Sequence, residues 1–187
     1  MLLVYFQIEN PPSKFSNFIR HKAVINSGFF QIFDLIAKDE DKIVQIIAYC
    51  LMPTHIHLVL KQLKDGGIST YLSNVSNAYA RYFNTCYKRK GPLWEGEFKN
   101  VLVKNDDQLL HLTRYNHLNP VTAGLVKKPE DWQYSSYLEY LNSDNIRRFC
   151  DYENILEIDP KKYRVFVEDR ISYQKELSII KKLLIES

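Results

Sequence analysis

Two short groups of polar residues combine side chains that can hold a divalent cation with one that can attack phosphorus. His55 and His57 flank Ile56 in an otherwise apolar stretch. On a β-strand, residues two apart point to the same side, which would place the two imidazoles about 6–7 Å apart along the strand. Imidazole is the commonest metal ligand in proteins. The pattern therefore predicts a metal site, and two half-buried structural histidines are the alternative for so short a motif.

A second pair, Tyr115 and Asn119, is four residues apart. On a helix this spacing puts both side chains on one face, about 6 Å apart. The amide of asparagine offers a carbonyl oxygen, which suits a hard cation such as Mg²⁺ or Mn²⁺. If that face lies over the strand of His55 and His57, the cation has two nitrogen ligands and one oxygen ligand. The spacing alone is common, so the pair gains meaning only together with the histidines.

Two other histidine sites are excluded by the neighbouring residues. A histidine-triad hydrolase would need a third histidine where this chain has Val59. A zincin would need Glu beside the first histidine and the second histidine four residues on, within a helix. His117 follows Tyr115 by two residues and is expected to point elsewhere. Three later tyrosines are expected to pack and not to react: Tyr134, Tyr137 and Tyr140.

Hydropathy patterning predicts the elements that must position these residues. Strands are predicted at 2–8, 43–50, 55–60 and 94–104. Helices are predicted at 29–36, 68–88 and 134–141. Another is predicted to begin at Asn105 or Asp106 and to stop or kink at Asn119-Pro120. Most of 160–187 is also predicted to be helical, with one apolar face formed by Leu177, Ile180, Leu183 and Leu184. This order is typical of an α+β, ferredoxin-like (RRM-like) antiparallel sheet with helices on one face, followed by a helical C-terminal tail.

Charge is distributed unevenly along the 187 residues, whose net charge is +3. The stretch 42–128 holds 12 Lys and Arg against 5 Asp and Glu, a net +7, and the remainder is −4. A basic middle indicates a surface facing a polyanion, and an ordinary solvated face is the alternative. The three cysteines, Cys50, Cys86 and Cys150, fit neither zinc spacing nor a disulfide framework and are expected to be reduced.

Three blocks carry a resemblance to a known family. Residues 49–60, which contain His55-Ile56-His57, resemble the HUH motif (histidine, hydrophobic residue, histidine) and its strand–turn entry. Residues 115–126 resemble the nucleophile helix of the same family, and 132–137 resemble the segment that follows it. Over roughly half of its length the chain thus resembles the REP-associated tyrosine transposases and other single-tyrosine HUH transposases of small insertion sequences.

The resemblance implies a function and a role for each matched residue. It implies a ferredoxin-like fold, cleavage of hairpin-bearing single-stranded DNA, and strand transfer through a 5′-phosphotyrosine intermediate. Tyr115 corresponds to the nucleophile. His55, His57 and Asn119 correspond to ligands of a divalent cation, Mg²⁺ or Mn²⁺. The expected domains are a transposase domain at 1–141 and a helical extension of unknown role at 142–187.

The expected partner is single-stranded DNA with hairpins, together with a possible homodimer and no membrane. Phosphate contacts and base stacking are expected from the basic stretch and its aromatic neighbours. The DNA-binding candidates are Arg81, Lys88, Arg89, Lys90, Trp94, Lys99 and Lys104. The first residues resemble a strand more than a signal peptide, and the expected location is the cytoplasm, at the nucleoid.

Two other functions stay open at this point. One is a non-catalytic domain that binds single-stranded nucleic acid, such as a domesticated transposase. The other is a metal-dependent phosphohydrolase with no covalent intermediate. The intact set of His55, His57, Tyr115 and Asn119 argues against a decayed enzyme. A covalent protein–DNA adduct would separate strand transfer from both alternatives.

Overall fold

The computed structural model describes residues 1–142 and 147–173. It is a mixed α+β fold, as predicted, with two antiparallel strands and eight α-helices in the described part of the chain. The elements are α1 (Leu2–Tyr5), α2 (Phe15–Phe18), α3 (Lys22–Ser27), α4 (Phe29–Ile36), β1 (Val44–Leu51), β2 (Ile56–Gln62), α5 (Gly67–Cys86), α6 (Asp106–Thr122), α7 (Tyr137–Tyr140) and α8 (Pro160–Glu168). None of the helices among these residues is long and apolar enough to cross a membrane.

The strands β1 and β2 form a hairpin, as the sequence predicts. β1 is rich in β-branched residues and is almost entirely buried. The turn is closed by Met52, whose N–H donates to the carbonyl of His55 at 2.9 Å. The other edge of β1 is also paired: Leu51 donates to the carbonyl of Tyr134 at 2.9 Å and Ser136 donates to that of Tyr49 at 3.0 Å. The antiparallel pairing is consistent with the predicted ferredoxin-like class.

The chain divides into two compact units. The first consists of Met1–Gln45 and Lys61–Val101. Its N-terminal part has an aromatic core in which Tyr5 and Phe33 are buried together with Phe18 and Phe29. The rings of Phe29 and Phe33 stack at 5.4 Å, and Tyr5 lies 5.0–6.3 Å from the rings of Phe18, Phe29 and Phe33. Burial of these large rings is the main stabilising contribution to this part of the unit.

The second unit consists of Ile46–Leu60 and Leu102–Ser187. Its described core joins the buried centre of β1 to α6, α7 and α8. Tyr140 lies flat on the ring of Tyr152 at 3.9 Å, and its hydroxyl donates to the carbonyl of Ile47 at 2.8 Å. Tyr163 and Val167 are buried on α8, which packs on α6. All four candidate catalytic residues therefore belong to this unit.

The predicted strand at 2–8 is wrong, because these residues begin with helix α1. Only a short stretch around Ile8 pairs with the chain near Lys42. The helical turn brings Tyr5 into the aromatic core, where its hydroxyl donates to the carbonyl of Ser13 at 2.7 Å. Burial of one large ring thus outweighs the β propensity of Leu3, Val4 and their neighbours.

The predicted strand at 94–104 is also wrong. In the described part of the chain, these residues form no strand and no backbone–backbone hydrogen bond. Trp94 instead donates from its indole nitrogen to the carbonyl of Ser76 on α5 at 3.2 Å and packs against Tyr79. Trp94 thus packs on a helix, and the one sheet of the described residues consists of β1 and β2 alone.

Helix α6 begins at the predicted position and extends past the predicted stop. The side chain of Asn105 accepts a hydrogen bond from the N–H of Gln108 at 2.8 Å, which caps the helix. Pro120 lies inside the last turn, and the helix ends at Thr122. Proline has a φ that is compatible with a helix but lacks the N–H that would donate to the carbonyl four residues earlier. Near the end of the helix, its presence therefore costs only that one backbone hydrogen bond.

The C-terminal prediction can be checked only in part. Helix α8 begins at Pro160 as predicted, capped by Asp159, whose side chain accepts from the N–H of Lys162 at 2.7 Å. The apolar face assigned to Leu177, Ile180, Leu183 and Leu184 lies outside the described residues. The boundary between a domain at 1–141 and an extension at 142–187 stays a prediction.

The three cysteines are free, as expected. Cys50 and Cys150 are buried and Cys86 is exposed. Burial raises the pKa of the Cys50 thiol to about 12 and that of Cys150 well above its usual value. Because the thiolate is the reactive form, the two buried cysteines serve as packing residues.

Candidate functional site

His55 and His57 lie side by side at the start of β2. His55 is exposed in the turn and His57 is half-buried on the strand. Their ring centroids are 4.7 Å apart and nearly perpendicular, closer than a regular strand would hold them. Burial lowers the pKa of His57, and the neighbouring His55 lowers it further. A neutral imidazole has a free lone pair, which a cation can use.

The orientation of His55 is set by its neighbour in the turn. The Thr54 hydroxyl lies 3.1 Å from Nδ1 of His55, within hydrogen-bonding distance. That contact occupies one ring nitrogen and leaves Nε2 available. A hydrogen bond to the non-ligating nitrogen is the usual way in which proteins fix the ring of a metal-binding histidine.

Tyr115 lies beside this histidine pair. Its ring centroid is 5.8 Å from that of His57, with the planes almost perpendicular. The tyrosine is half-exposed, at 50% of its accessible area, although it lies in the middle of α6. The structure thus brings together three of the four residues that the sequence assigned to one centre, and it leaves the phenol open to solvent.

Asn119 lies one turn further along α6 and is buried, with 8% exposure. Its side-chain nitrogen has no hydrogen-bond partner among the described residues. A buried amide group without a hydrogen-bond partner destabilises the folded state, so such groups are uncommon in native proteins. Since the amide nitrogen donates to no acceptor within the described ranges, no such bond opposes a rotation that would turn the carbonyl oxygen toward a cation.

The candidate residues would supply a divalent cation with only a few protein ligands. Within residues 1–142 and 147–173, no three His, Cys, Asp or Glu side chains cluster closely enough to form a metal site. A cation would therefore depend on the two imidazoles, the amide oxygen of Asn119, and oxygens from water or substrate. The amide oxygen is a ligand that suits Mg²⁺ or Mn²⁺, and Mg²⁺ usually keeps several positions for water and phosphate.

The opposite face of α6 is held by a buried chain of hydrogen bonds. Thr113 donates to the carbonyl of Leu110 at 2.9 Å, and the hydroxyl of Tyr163 donates to Thr113 at 2.9 Å. The hydroxyl of Tyr163 also lies 2.7 Å from Nδ1 of His117, within hydrogen-bonding distance. The Ser136 hydroxyl lies 2.8 Å from Nε2 of the same ring.

These contacts assign His117 to packing, on the opposite side of the helix from Tyr115. The ring is fully buried, and burial lowers its pKa to about 3. It is therefore neutral, so one of its two ring nitrogens donates a hydrogen bond and the other accepts one. Sequence reasoning missed its partners Ser136 and Tyr163, because they come from α8 and from the segment beside β1. Their only signal was that Ser136 lies in one of the three blocks that carry the family resemblance.

The DNA-binding candidates fall in both units. Lys104 is exposed just before α6. The other six lie in the first unit, at the end of α5 and in the segment that follows: Arg81, Lys88, Arg89, Lys90, Trp94 and Lys99. All of these except Trp94 are exposed. Of the three later tyrosines, Tyr137 and Tyr140 are fully buried as expected and Tyr134 is half-exposed.

Comparison with known proteins gives two curated relatives of modest identity. A protein of Haemophilus influenzae, named as a candidate REP-associated tyrosine transposase, is 27% identical over 103 residues, which is 50% of this chain and 58% of the relative. A REP-associated tyrosine transposase of Escherichia coli K12 is 24% identical over 103 residues, 55% of this chain and 60% of the relative. The chain thus spans about three fifths of the length of these relatives.

No solved structure matches the chain significantly. The profile of the family described as IS200-like transposase matches residues 15–117, more than half of the chain. The matched range includes His55, His57 and Tyr115 and ends before Asn119. On this match the chain belongs to the IS200-like transposase family.

Proposed function

We propose that this protein is a metal-dependent endonuclease and strand transferase that cuts single-stranded DNA carrying hairpins. Tyr115 acts as the nucleophile, and His55, His57 and Asn119 hold the cation. Family membership supports a transposase-like reaction on DNA. The names of the two curated relatives support a tyrosine as the attacking residue.

One observation carries the proposal. An exposed phenol in the middle of α6 stands 5.8 Å, ring to ring, from a histidine whose own neighbour is a second histidine 4.7 Å away. Exposure of Tyr115 leaves room for a phosphodiester to reach its oxygen. A phosphate held at the imidazoles would then lie next to the attacking atom, and such positioning supplies much of the rate in phosphoryl transfer.

The reaction begins with attack by the phenol oxygen of Tyr115 on the phosphorus of the scissile bond. The Tyr–O–P bond forms as the bond to the 3′ oxygen breaks, which leaves the DNA 5′ end on the protein and a free 3′-OH. The phenol proton passes to solvent and the departing oxygen takes up a proton. Free tyrosine has a pKa of about 10, so the phenolate needs stabilisation by nearby positive charge as it attacks.

His55, His57 and Asn119 would hold the cation through two ring nitrogens and one amide oxygen. When bound, a divalent cation withdraws charge from the nonbridging phosphate oxygens and orients phosphorus for in-line attack. The protein supplies the rest of the arrangement. The Thr54 contact orients His55, and the buried His117 chain fixes the rotation of α6 that presents Tyr115.

Strand transfer follows from the covalent intermediate. The phosphotyrosine bond keeps the energy of the broken phosphodiester, so a different 3′-OH can attack it and release Tyr115. Each step exchanges one phosphoester for another, and the reaction needs no nucleotide cofactor. A hydrolase would instead transfer the phosphate to water and would leave no protein–DNA bond.

The test uses hairpin-bearing single-stranded oligonucleotides from the DNA that flanks the gene, with Mn²⁺, resolved on a denaturing gel. Tyr115→Phe removes the attacking oxygen. Tyr134→Phe is the matched control, because Tyr134 is also 50% exposed and lies in the same unit. The proposal predicts a covalent adduct with the wild type and with Tyr134→Phe, and none with Tyr115→Phe.

Other results would select one of the alternatives. Cleavage with no adduct at any time point would indicate a phosphohydrolase. Binding with neither cleavage nor adduct, across several flanking hairpins, would indicate a non-catalytic domain. An adduct that still forms with Tyr115→Phe would show that another residue is the nucleophile.

A further inference from the structure

Six aromatic rings form a continuous surface at the end of α5 and in the segment that follows it. The contacts run from Tyr82 through Tyr79 to Phe83 and Tyr87, and from Tyr79 to Trp94 and Phe98, at centroid distances of 4.4–6.4 Å. The spacing of three and four residues explains the first branch, because it places the rings in one stripe along the helix. We call these six rings the aromatic surface; all of them lie in the first unit.

Several of these rings are far more exposed than packing requires. Tyr82 and Tyr87 keep 62% and 66% of their accessible area, and Phe98 keeps 44%. The buried side of α5 is made by other residues, chiefly Tyr71 and Val75. The exposed rings thus add little to the core of the unit, and their flat faces are available to a ligand.

The aromatic surface is held in place by polar contacts of its own. The indole nitrogen of Trp94 donates to the carbonyl of Ser76 at 3.2 Å. The side chain of Asn84 donates to the carbonyl of Gly91 at 2.9 Å, and the N–H of Arg89 donates to the carbonyl of Asn84 at 2.9 Å. These bonds tie the segment after α5 back onto the helix. Preorganised rings lose little conformational entropy when they bind.

Positive charge is concentrated in the same stretch of the chain as these rings. Five exposed cations lie among them or beside them: Arg81, Lys88, Arg89, Lys90 and Lys99. None of the five forms an ion pair with an acidic side chain in the part of the chain that the structure describes. The guanidinium of Arg89 lies 5.7 Å from the ring centroid of Phe83. The segment also carries two acids, Glu95 and Glu97, which leaves a net charge of +3 for this set.

We propose that this surface binds the unpaired nucleotides of single-stranded DNA, with bases stacked on Tyr82 and Tyr87 and phosphates held by the surrounding cations. Exposed rings interleaved with unpaired cations are the combination that single-stranded nucleic acid requires, because each base has a flat face and each linkage a negative charge. Paired bases already stack on each other inside a duplex and cannot use these rings. The aromatic surface is therefore expected to bind unpaired nucleotides in preference to a duplex, whatever their base.

The choice of single-stranded DNA as the ligand rests on the proposed function. Binding at the aromatic surface does not depend on the reaction of Tyr115. Its test uses the full chain in a Tyr115→Phe background, with EDTA present, so that neither the nucleophile nor a cation contributes. The probe is a fluorescently labelled oligothymidylate, which forms no hairpin. Fluorescence anisotropy measures its affinity for each variant.

The variant Tyr82→Leu/Tyr87→Leu removes both exposed rings and keeps apolar bulk. Binding should weaken about fivefold or more for each ring lost. Tyr82→Phe/Tyr87→Phe keeps the rings and should bind the oligothymidylate with unchanged affinity. Tyr134→Leu is the matched control, since it removes a half-exposed tyrosine from the other unit. A duplex of equal length should bind the leucine and parent proteins equally.

Three results would overturn the inference. The first is that the double leucine variant binds oligothymidylate with the affinity of the parent protein. The second is that this variant loses as much affinity for the duplex as for oligothymidylate. The third is that its sedimentation differs from that of the parent, which would show that the rings contact a second copy of the protein. Thermal melting checks that the variants fold. If the double variant melts early, Tyr87→Leu alone decides, since Tyr87 contacts only Phe83 among the described rings. Failure of the adduct assay with intact oligothymidylate binding would refute the proposed chemistry and leave this surface standing.

Discussion

At the scale of residues, the site follows from the position of each side chain around α6. Tyr115 and Asn119 are one turn apart, whereas Thr113 and His117, two residues to either side of Tyr115, project toward the opposite face. That opposite face is fixed by hydrogen bonds of 2.7–2.9 Å to Tyr163 and Ser136. A buried neutral histidine thus holds one face of the helix, and Tyr115 on the other face stays half-exposed.

Loss of one imidazole should remove the cation without removing DNA binding. His57→Gln is expected to lower Mn²⁺-dependent adduct formation by more than about 100-fold, because even partners that only orient metal ligands contribute 10–100-fold. Oligothymidylate affinity in EDTA should stay at the parent value. His111→Gln is the control, since His111 is an exposed histidine on the same helix as Tyr115. Equal adduct yields from the two variants would exclude His57 from the centre.

Glu139 makes the stability of the second unit depend on pH. The buried carboxylate accepts from the backbone of Phe149 and Cys150 at 2.7 and 2.8 Å and from the hydroxyl of Tyr49 at 3.0 Å. Burial nevertheless raises its pKa above the ordinary value of 4.5. The folded state then binds the proton more tightly than the unfolded state, so this group destabilises the fold as pH rises through 4.5 toward the folded-state pKa.

Glu139→Gln tests this direction, because the amide is neutral at every pH and can keep contacts of the same shape. The difference in free energy of unfolding, variant minus wild type, should increase between pH 4 and pH 7. Urea titrations at several pH values measure it. A difference that is flat with pH, or that falls as pH rises, would contradict the assigned direction.

At the scale of elements, local patterns predicted the pieces that carry the site. The β-branched run of β1, the turn before His55, and the three-and-four spacing of α5 and α6 were all confirmed. The two wrong strands, at 2–8 and 94–104, share a cause. In each, one aromatic ring, Tyr5 or Trp94, packs on residues distant in sequence and so decides the backbone conformation. No local pattern reports such a contact.

The cap of α6 offers a test at this scale. Asn105 accepts from Gln108, and the side chain of Gln108 in turn accepts from the N–H of Lys104 at 2.8 Å. Asn105→Ala should lower the free energy of unfolding by about 1 kcal/mol, the usual contribution of a helix N-cap. Asn105→Asp keeps an acceptor and should retain the stability of the wild type. Equal stability of the alanine and aspartate variants in urea would show that the cap contributes nothing.

At the scale of the whole molecule, the candidate catalytic centre and most of the DNA-binding candidates fall in different units. The histidines, Tyr115 and Asn119 lie in the second unit, whereas the aromatic surface and five of the six cationic DNA-binding candidates lie in the first. The sequence predicted the α+β class and the hairpin that carries His55 and His57, and it placed Tyr115, whose ring lies beside that of His57, on a helix. It could not predict the buried support of α6, because that support depends on contacts between residues 19 to 50 positions apart, such as His117 with Ser136 and Thr113 with Tyr163.

The salt dependence of DNA binding measures how many phosphates the first unit contacts. Replacement of Lys88, Arg89 and Lys90 by glutamine should reduce the slope of log affinity against log salt by about 2, at about 0.7 for each single-strand contact. Lys161→Gln/Lys162→Gln removes two exposed charges on α8 and should leave the slope unchanged. A slope unaltered by the triple variant would remove this loop from the DNA interface.

The mass of the peptide that carries the DNA identifies the nucleophile most directly. After reaction with a flanking hairpin oligonucleotide and Mn²⁺, digestion with nuclease and trypsin leaves residues 115–127, released after Arg114 and Lys127, with Tyr115 as their only tyrosine. We expect this peptide to gain the mass of a nucleotide phosphate, and we expect the gain to disappear with EDTA. A nucleotide found on any other peptide, or none on this one while the DNA is cut, would contradict this expectation.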